Sequence, residues 1–183
     1  MNRSRNRMVG PDEDCIARGA KFTCQIDRQG DGHNGVVRDK DGEIRWRYGV
    51  RMNDLGRSWA NPFNKKDFVV ADSKTGEEIV IRRRSFFPPR FAIMDARGVR
   101  GTVCMVSILR NRYTINVQGR RPWRFRMPLF TVYFWGETGE SSEFWVIVGP
   151  SKMDWSILIK CGIEDQPLVA ALSFIHNEWW NYS

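Results

Sequence analysis

Beyond its first twenty residues the chain is a succession of short apolar stretches, each broken by Asp, Gly, Pro or Asn. Several alternate with period two, as in Tyr113-Thr-Ile115-Asn-Val117, the pattern of an extended strand with one apolar and one polar face. Val, Ile, Phe, Tyr and Trp are frequent in these stretches, as strands require. The pattern predicts strands over Phe22–Ile26, Gly35–Arg38, Glu43–Gly49, Phe68–Ala71, Glu78–Arg82, Arg90–Asp95, Gly101–Leu109, Arg112–Gln118, Arg124–Met127, Leu129–Trp135, Glu143–Gly149 and Trp155–Lys160. Residues 1–20 are polar and aperiodic and are expected to form a flexible tail. Residues 21–183 are expected to form a single domain. A weak helical pattern covers Val50–Trp59.

One unit recurs: an apolar strand, an acidic residue or turn, a Gly about three residues on, and a second apolar strand. The copies are Val36–Ile44 around Asp39 and Gly42, Val69–Ile79 around Asp72 and Gly76, Ile93–Val103 around Asp95, Gly98 and Gly101, and Tyr133–Gly139 around Gly136. This is hairpin chemistry: Asp caps the turn and Gly supplies a positive φ. Repeated hairpins build a closed barrel or a sandwich, which leave few open edges.

The C-terminus breaks the pattern. Glu164-Asp-Gln-Pro167 offers helix-start chemistry, and Leu168-Val-Ala-Ala-Leu-Ser-Phe-Ile175 is apolar all round. Such a helix must be buried. Its expected span, about 167–180, falls short of the roughly 20 apolar residues that cross a bilayer. The fold expected from the residues is therefore all-β, a closed antiparallel barrel or a sandwich, with a buried hydrophobic C-terminal helix. In the rival lipocalin-like barrel the terminal helix is amphipathic and lies outside, which the apolar run Leu168–Ile175 disfavours.

Two features, the strand–Asp–Gly–strand unit at Phe91–Val103 and the apolar run Asp165–Ile175, resemble the tubby-like C-terminal superfamily. Tubby proteins, phospholipid scramblases and LURP-one-related proteins belong to it, and the LURP-one and scramblase-like branches are nearest in size. The resemblance covers about residues 20–180. It implies a twelve-stranded barrel threaded by a central helix, and a non-enzymatic module that binds phospholipid. The Pro-rich N-terminal region and the palmitate-accepting cysteine cluster of scramblases have no counterpart here. No phosphoinositide-contacting residue of tubby proteins is carried over.

Composition narrows the function further. Apolar residues make up 42% and charged residues 27%, ordinary for a folded globular protein. No secretory signal is expected, because the basic start Met1–Gly10 leads into no apolar region. Cys15, Cys24, Cys104 and Cys161 form no Cys-x-x-Cys pair, so a zinc ribbon is not indicated and free cytoplasmic thiols are expected. His33 and His176 are the only histidines, and there is no nucleophile elbow, P-loop or dinucleotide motif. The loop starting at Asp27 has Gly32 at its sixth position but Arg38 at the twelfth, where an EF-hand needs Glu. No enzyme activity, metal or cofactor is expected.

Charge gives the strongest functional signal. The net charge is +8. Residues 82–126 hold twelve Arg against one acid, Asp95, and so carry +11, while residues 127–183 carry −5. Arg82-Arg83-Arg84 and Arg120-Arg121-Pro-Trp123-Arg124-Phe-Arg126 are the candidate anion-binding residues. Gathered on one face they would dock on anionic phospholipid, with Trp123 and Phe125 at the interface. The same ingredients suit single-stranded nucleic acid or an acidic protein. The plain alternative is a solvated barrel face neutralised by Glu137, Glu140 and Glu143. A cytoplasmic protein, peripheral at the membrane, is the expected setting. The eight tryptophans read mostly as barrel packing, with Trp179-Trp180 placed to plug the barrel mouth.

Overall fold

The structure, a computed structural model, describes residues 20–27, 34–52, 66–85, 88–107, 112–126, 133–138, 143–148, 154–159 and 165–181. These residues form a mostly antiparallel β-structure with one C-terminal helix. The strands are β1 (Ala20–Asp27), β2 (Asn34–Arg38), β3 (Ile44–Met52), β4 (Lys66–Asp72), β5 (Glu78–Ser85), β6 (Arg90–Asp95), β7 (Gly98–Ser107), β8 (Arg112–Val117), β9 (Trp123–Arg126), β10 (Tyr133–Glu137), β11 (Glu143–Val148) and β12 (Asp154–Ile159). The helix, α1, spans Gln166–Asn181. Each strand pairs with its sequence neighbours, and β1 pairs with both β2 and β12, giving a closed barrel.

The predicted strands correspond one to one with these twelve, with ends shifted by a few residues. The weak helical pattern over Val50–Trp59 is corrected in part: Val50, Arg51 and Met52 continue β3, paired with Phe68, Asp67 and Lys66. Residues 53–59 lie outside the described residues, as do residues 1–19 of the expected tail, His33 and the loop 28–33.

Alternation along each strand sets the two faces. Trp46 and Tyr48 of β3, Phe68 and Val70 of β4, Ile79 and Ile81 of β5, and Phe91 and Ile93 of β6 point into the lumen. So do Val103 and Met105 of β7, Tyr113, Ile115 and Val117 of β8, and Trp123 and Phe125 of β9. Leu168–Ser173 fill the space between them, six consecutive helical residues each at most 2% exposed. Six in a row cover the full circumference of a helix, so the walls surround it. The helix lies nearest to β4, β5 and β12. Ser173 satisfies its buried hydroxyl by donating to the Ala170 carbonyl one turn back, at 2.6 Å.

Short turns gather at one end of the barrel, where the helix enters, and the repeated Asp–Gly unit builds them. Asp39 accepts the backbone N–H groups of Asp41 and Glu43, both at 3.0 Å. Asp72 accepts those of Lys74 and Thr75 at 2.8 and 2.9 Å, and Asp95 that of Arg97 at 2.8 Å. Gly42 and Gly76 follow with φ of 82° and 72°. The fourth copy differs: Gly136 sits within β10, paired with Phe125 and Phe144, and the rest of that turn lies outside the described residues. Gly101 has another role. A Cβ there would stand 2.3 Å from the Asn116 carbonyl oxygen on β8, so only glycine allows the two backbones this close.

Two stability predictions follow from the turns and the close approach. Gly101→Ala should lose about 1–3 kcal/mol in a denaturant titration, as overpacking does. The Thr75 backbone N–H, with Lys74 assisting, holds the Asp72 carboxyl below its ordinary range against the opposing effect of burial. Its folded-state pKa is therefore depressed. The stability it adds is present above the unfolded value and is lost as pH falls through the lower folded value. Asp72→Asn should remove that part of the acid limb of a stability-versus-pH curve while leaving the rest intact.

Candidate functional site

Strand parity distributes the candidate arginines. On β5 the outer parity falls to Val80, Arg82 and Arg84, of which Val80 is buried, Arg82 partly buried and Arg84 exposed, while Arg83 shares the lumen parity of Ile79 and Ile81. Arg82 is committed to a carboxylate. It donates through Nε to Asp67 Oδ1 at 2.8 Å and through Nη2 to Asp67 Oδ2 at 2.6 Å, directly across the β4–β5 ladder. Asp67 is only 2% exposed, so this forked pair neutralises a buried charge. Arg83 is half-buried, with its guanidinium over Phe91 at 6.0 Å and Nε donating to the Ser85 carbonyl at 3.4 Å. It also acts on the lumen phenol of Tyr113, which burial pushes well above its ordinary range and the Arg83 charge opposes. Arg84 is exposed.

The segment Arg120–Arg126 divides three ways. Arg120 and Arg121 lie in the β8–β9 turn at the end where the helix enters. Arg120 Nη1 is 3.9 Å from Asp165 Oδ2, and Arg100 of β7 donates to the same oxygen. Asp165 is the residue just before α1, and its backbone carbonyl accepts the Val169 N–H that opens the helix, at 3.3 Å. Arg100 and Arg120 thus tie the start of the helix to the barrel mouth. Trp123 and Phe125 are each 1% exposed, in the core, with Phe125 tilted against Tyr113 at 5.8 Å. The expectation that Trp123 and Phe125 meet a membrane interface is therefore corrected: the parity that turns Arg124 and Arg126 outward turns these rings into the lumen.

What remains outside is a basic wall. Arg84, Arg124 and Arg126 lie on the outer face of β5 and β9. Two arginines that the runs of sequence did not single out complete it, Arg90 on β6 and Arg112 on β8. One rung of the sheet runs Arg90, Cys104, Thr114, Arg124, Glu137 and Glu143 across six strands. The next runs Ser107, Arg112, Arg126, Trp135 and Trp145, so two arginines stand directly opposite each other. Arg90 and Arg112 belong to the +11 of residues 82–126, but only pairing register places them on this wall.

Among the described residues, register sets one of the expected acids directly against this wall. Glu137 faces Arg124, Glu143 lies one strand further away, and Glu140 is outside the described residues. Asp95, the single acid of residues 82–126, caps the β6–β7 turn at the far end. Of the eight predicted residues, Arg84, Arg124 and Arg126 share the outer wall. Arg82 shares the outer parity of β5 but is held by Asp67, and Arg83, Arg120, Arg121 and Trp123 lie elsewhere.

Among the described residues, no three of His, Cys, Asp and Glu come together as metal ligands would. No helix among them is long and apolar enough to cross a membrane. Compared with known protein families, curated proteins and solved structures, the chain matches none.

The Arg82–Asp67 assignment is testable by stability. Asp67→Asn should cost roughly 3 kcal/mol in a thermal or denaturant melt, because it leaves a half-buried guanidinium without its charge partner. The double variant Asp67→Asn with Arg82→Met should recover most of that loss. Additive losses from the two changes would show the pair to be uncoupled.

Proposed function

We propose that this protein is a non-enzymatic binding module that docks reversibly on anionic phospholipid through the outer wall of β5–β9. The observation that carries the reading is the rung Arg112–Arg126, flanked by Arg84, Arg90 and Arg124 on the same wall. An anionic surface is complementary to arginines gathered in this way on one wall. Each such charge near an anionic leaflet contributes about 1 kcal/mol. Five of them, Arg112 and Arg126 being also engaged within the protein and Arg124 facing Glu137, fit a weak peripheral association rather than permanent anchoring.

A twelve-stranded barrel around an apolar helix supports membership of the tubby-like superfamily, in its LURP-one-related or scramblase-like branch. A cytoplasmic location, peripheral at the membrane, belongs to the same proposal. Nucleic acid is an alternative partner, although the two rings that the sequence offers within the basic run for stacking, Trp123 and Phe125, face the core. An acidic protein is the remaining alternative.

Co-sedimentation of the whole chain with vesicles tests the reading. Binding is expected to vesicles containing about 30% phosphatidylserine, to fall as salt rises, and to be absent on neutral phosphatidylcholine. The double reversal Arg84→Glu with Arg90→Glu should weaken it at least tenfold, while Arg47→Glu on the exposed face of β3 should change it little. Equal binding to both vesicle types sinks the lipid reading. Binding that survives the double reversal places the contact elsewhere and leaves a protein-interaction role for this wall.

A further inference from the structure

β7 carries two bulges, and an outward valine stands at each. Near its start Met94 pairs with Val99 while Ile93 pairs with Gly101, so Arg100 is an extra residue. Ile93 faces the lumen and Met94 the outside, which places Val99 outside as well. With unbroken alternation Val99 would share the lumen side of Gly101 and Val103; one inserted residue reverses it. Near the other end Met105 pairs with Tyr113 and Ser107 with Arg112, leaving Val106 as the extra residue. Val99 is 49% and Val106 66% exposed, and they are the exposed large hydrophobic residues among those described.

Both valines stand among arginines. Val106 adjoins the rung of Arg112 and Arg126. Val99 lies between Arg97 and Arg100, and the Gln118 N–H donates to the Arg100 carbonyl at 2.9 Å, which holds the Arg120–Arg121 turn beside it. Six residues lie between the two valines, one of them the bulge residue Arg100, so they lie roughly 20 Å apart along one strand. A single small anion cannot touch both, whereas a flat anionic surface can.

We propose that Val99 and Val106 are two insertion points of one membrane-docking face laid along β7, so that the barrel rests on its side on an anionic bilayer. The proposal rests on the lipid reading above and adds the second contact and the orientation. β1, six strands away around the ring, then faces water.

Partitioning of the whole chain onto vesicles with about 30% phosphatidylserine tests it. Val99→Ser and Val106→Ser should each lose about five- to tenfold in partition coefficient, and the double variant about the product. Val99→Trp and Val106→Trp should each raise it, while Thr23→Trp on the exposed face of β1 should not. Melting curves of all variants should match the parent, since the three side chains are in solvent. A response at Val106 but not Val99 means end-on docking and overturns the orientation while leaving the lipid reading intact. A response at Val99 but not Val106 overturns it equally. A rise with Thr23→Trp equal to the others means general stickiness and overturns it too. No binding of the parent chain to anionic vesicles overturns the lipid reading itself, and this inference with it.

Discussion

A barrel of twelve strands is too wide to fill its own lumen. About eight strands is the size at which inward side chains meet across the axis. The wider ring needs a separate filler, and the filler has to be apolar on every side because walls meet it from every direction. Leu168–Ser173 meet that demand, all six buried within the ring. The rest of the molecule depends on this arrangement. The helix gives each strand's inner parity a core to face, and so decides which side chains are left for the outer wall.

The charged groups then fall into two kinds of work. Some serve the fold. Arg100 and Arg120 hold Asp165 where the helix enters, and Arg82 matches a buried carboxylate on the next strand. An apolar helix in an apolar lumen has little to fix how deep it sits, and a clasp at the mouth supplies that reference. Others stand outward on adjacent strands and are brought together only by register, as Arg112 and Arg126 are. The bulges of β7 act on the same wall: the extra residue at Arg100 turns Val99 from the core side to the outside, and the one at Val106 adds an outward residue beside the Arg112 rung.

The strands were legible because alternation and β-branched or aromatic content are local properties, and all twelve appear where the pattern put them. The turns were legible for the same reason: Asp39, Asp72 and Asp95 each bond backbone groups within four residues. Residues 50–52 were misread as helical because their pairing with Phe68, Asp67 and Lys66 is remote in sequence. The candidate site was legible only in part. A run such as Arg120–Arg126 looks like one patch on paper. The turn and the alternation of β9 send its members to the barrel mouth, the core and the outer wall.

By itself the sequence determined which segments are strands, how their hairpins turn, that the last segment must be buried, and that the basic charge is concentrated in residues 82–126. Those properties follow from neighbours a few residues apart. Tertiary structure alone decided which arginines meet. Arg82 finds Asp67 across a ladder, Arg100 finds Asp165 sixty-five residues away, and Arg90 and Arg112 join a wall that no stretch of sequence announces. The physical reason is that a charge acts through distance in space and the dielectric around it, and both are set by strand register and closure of the barrel.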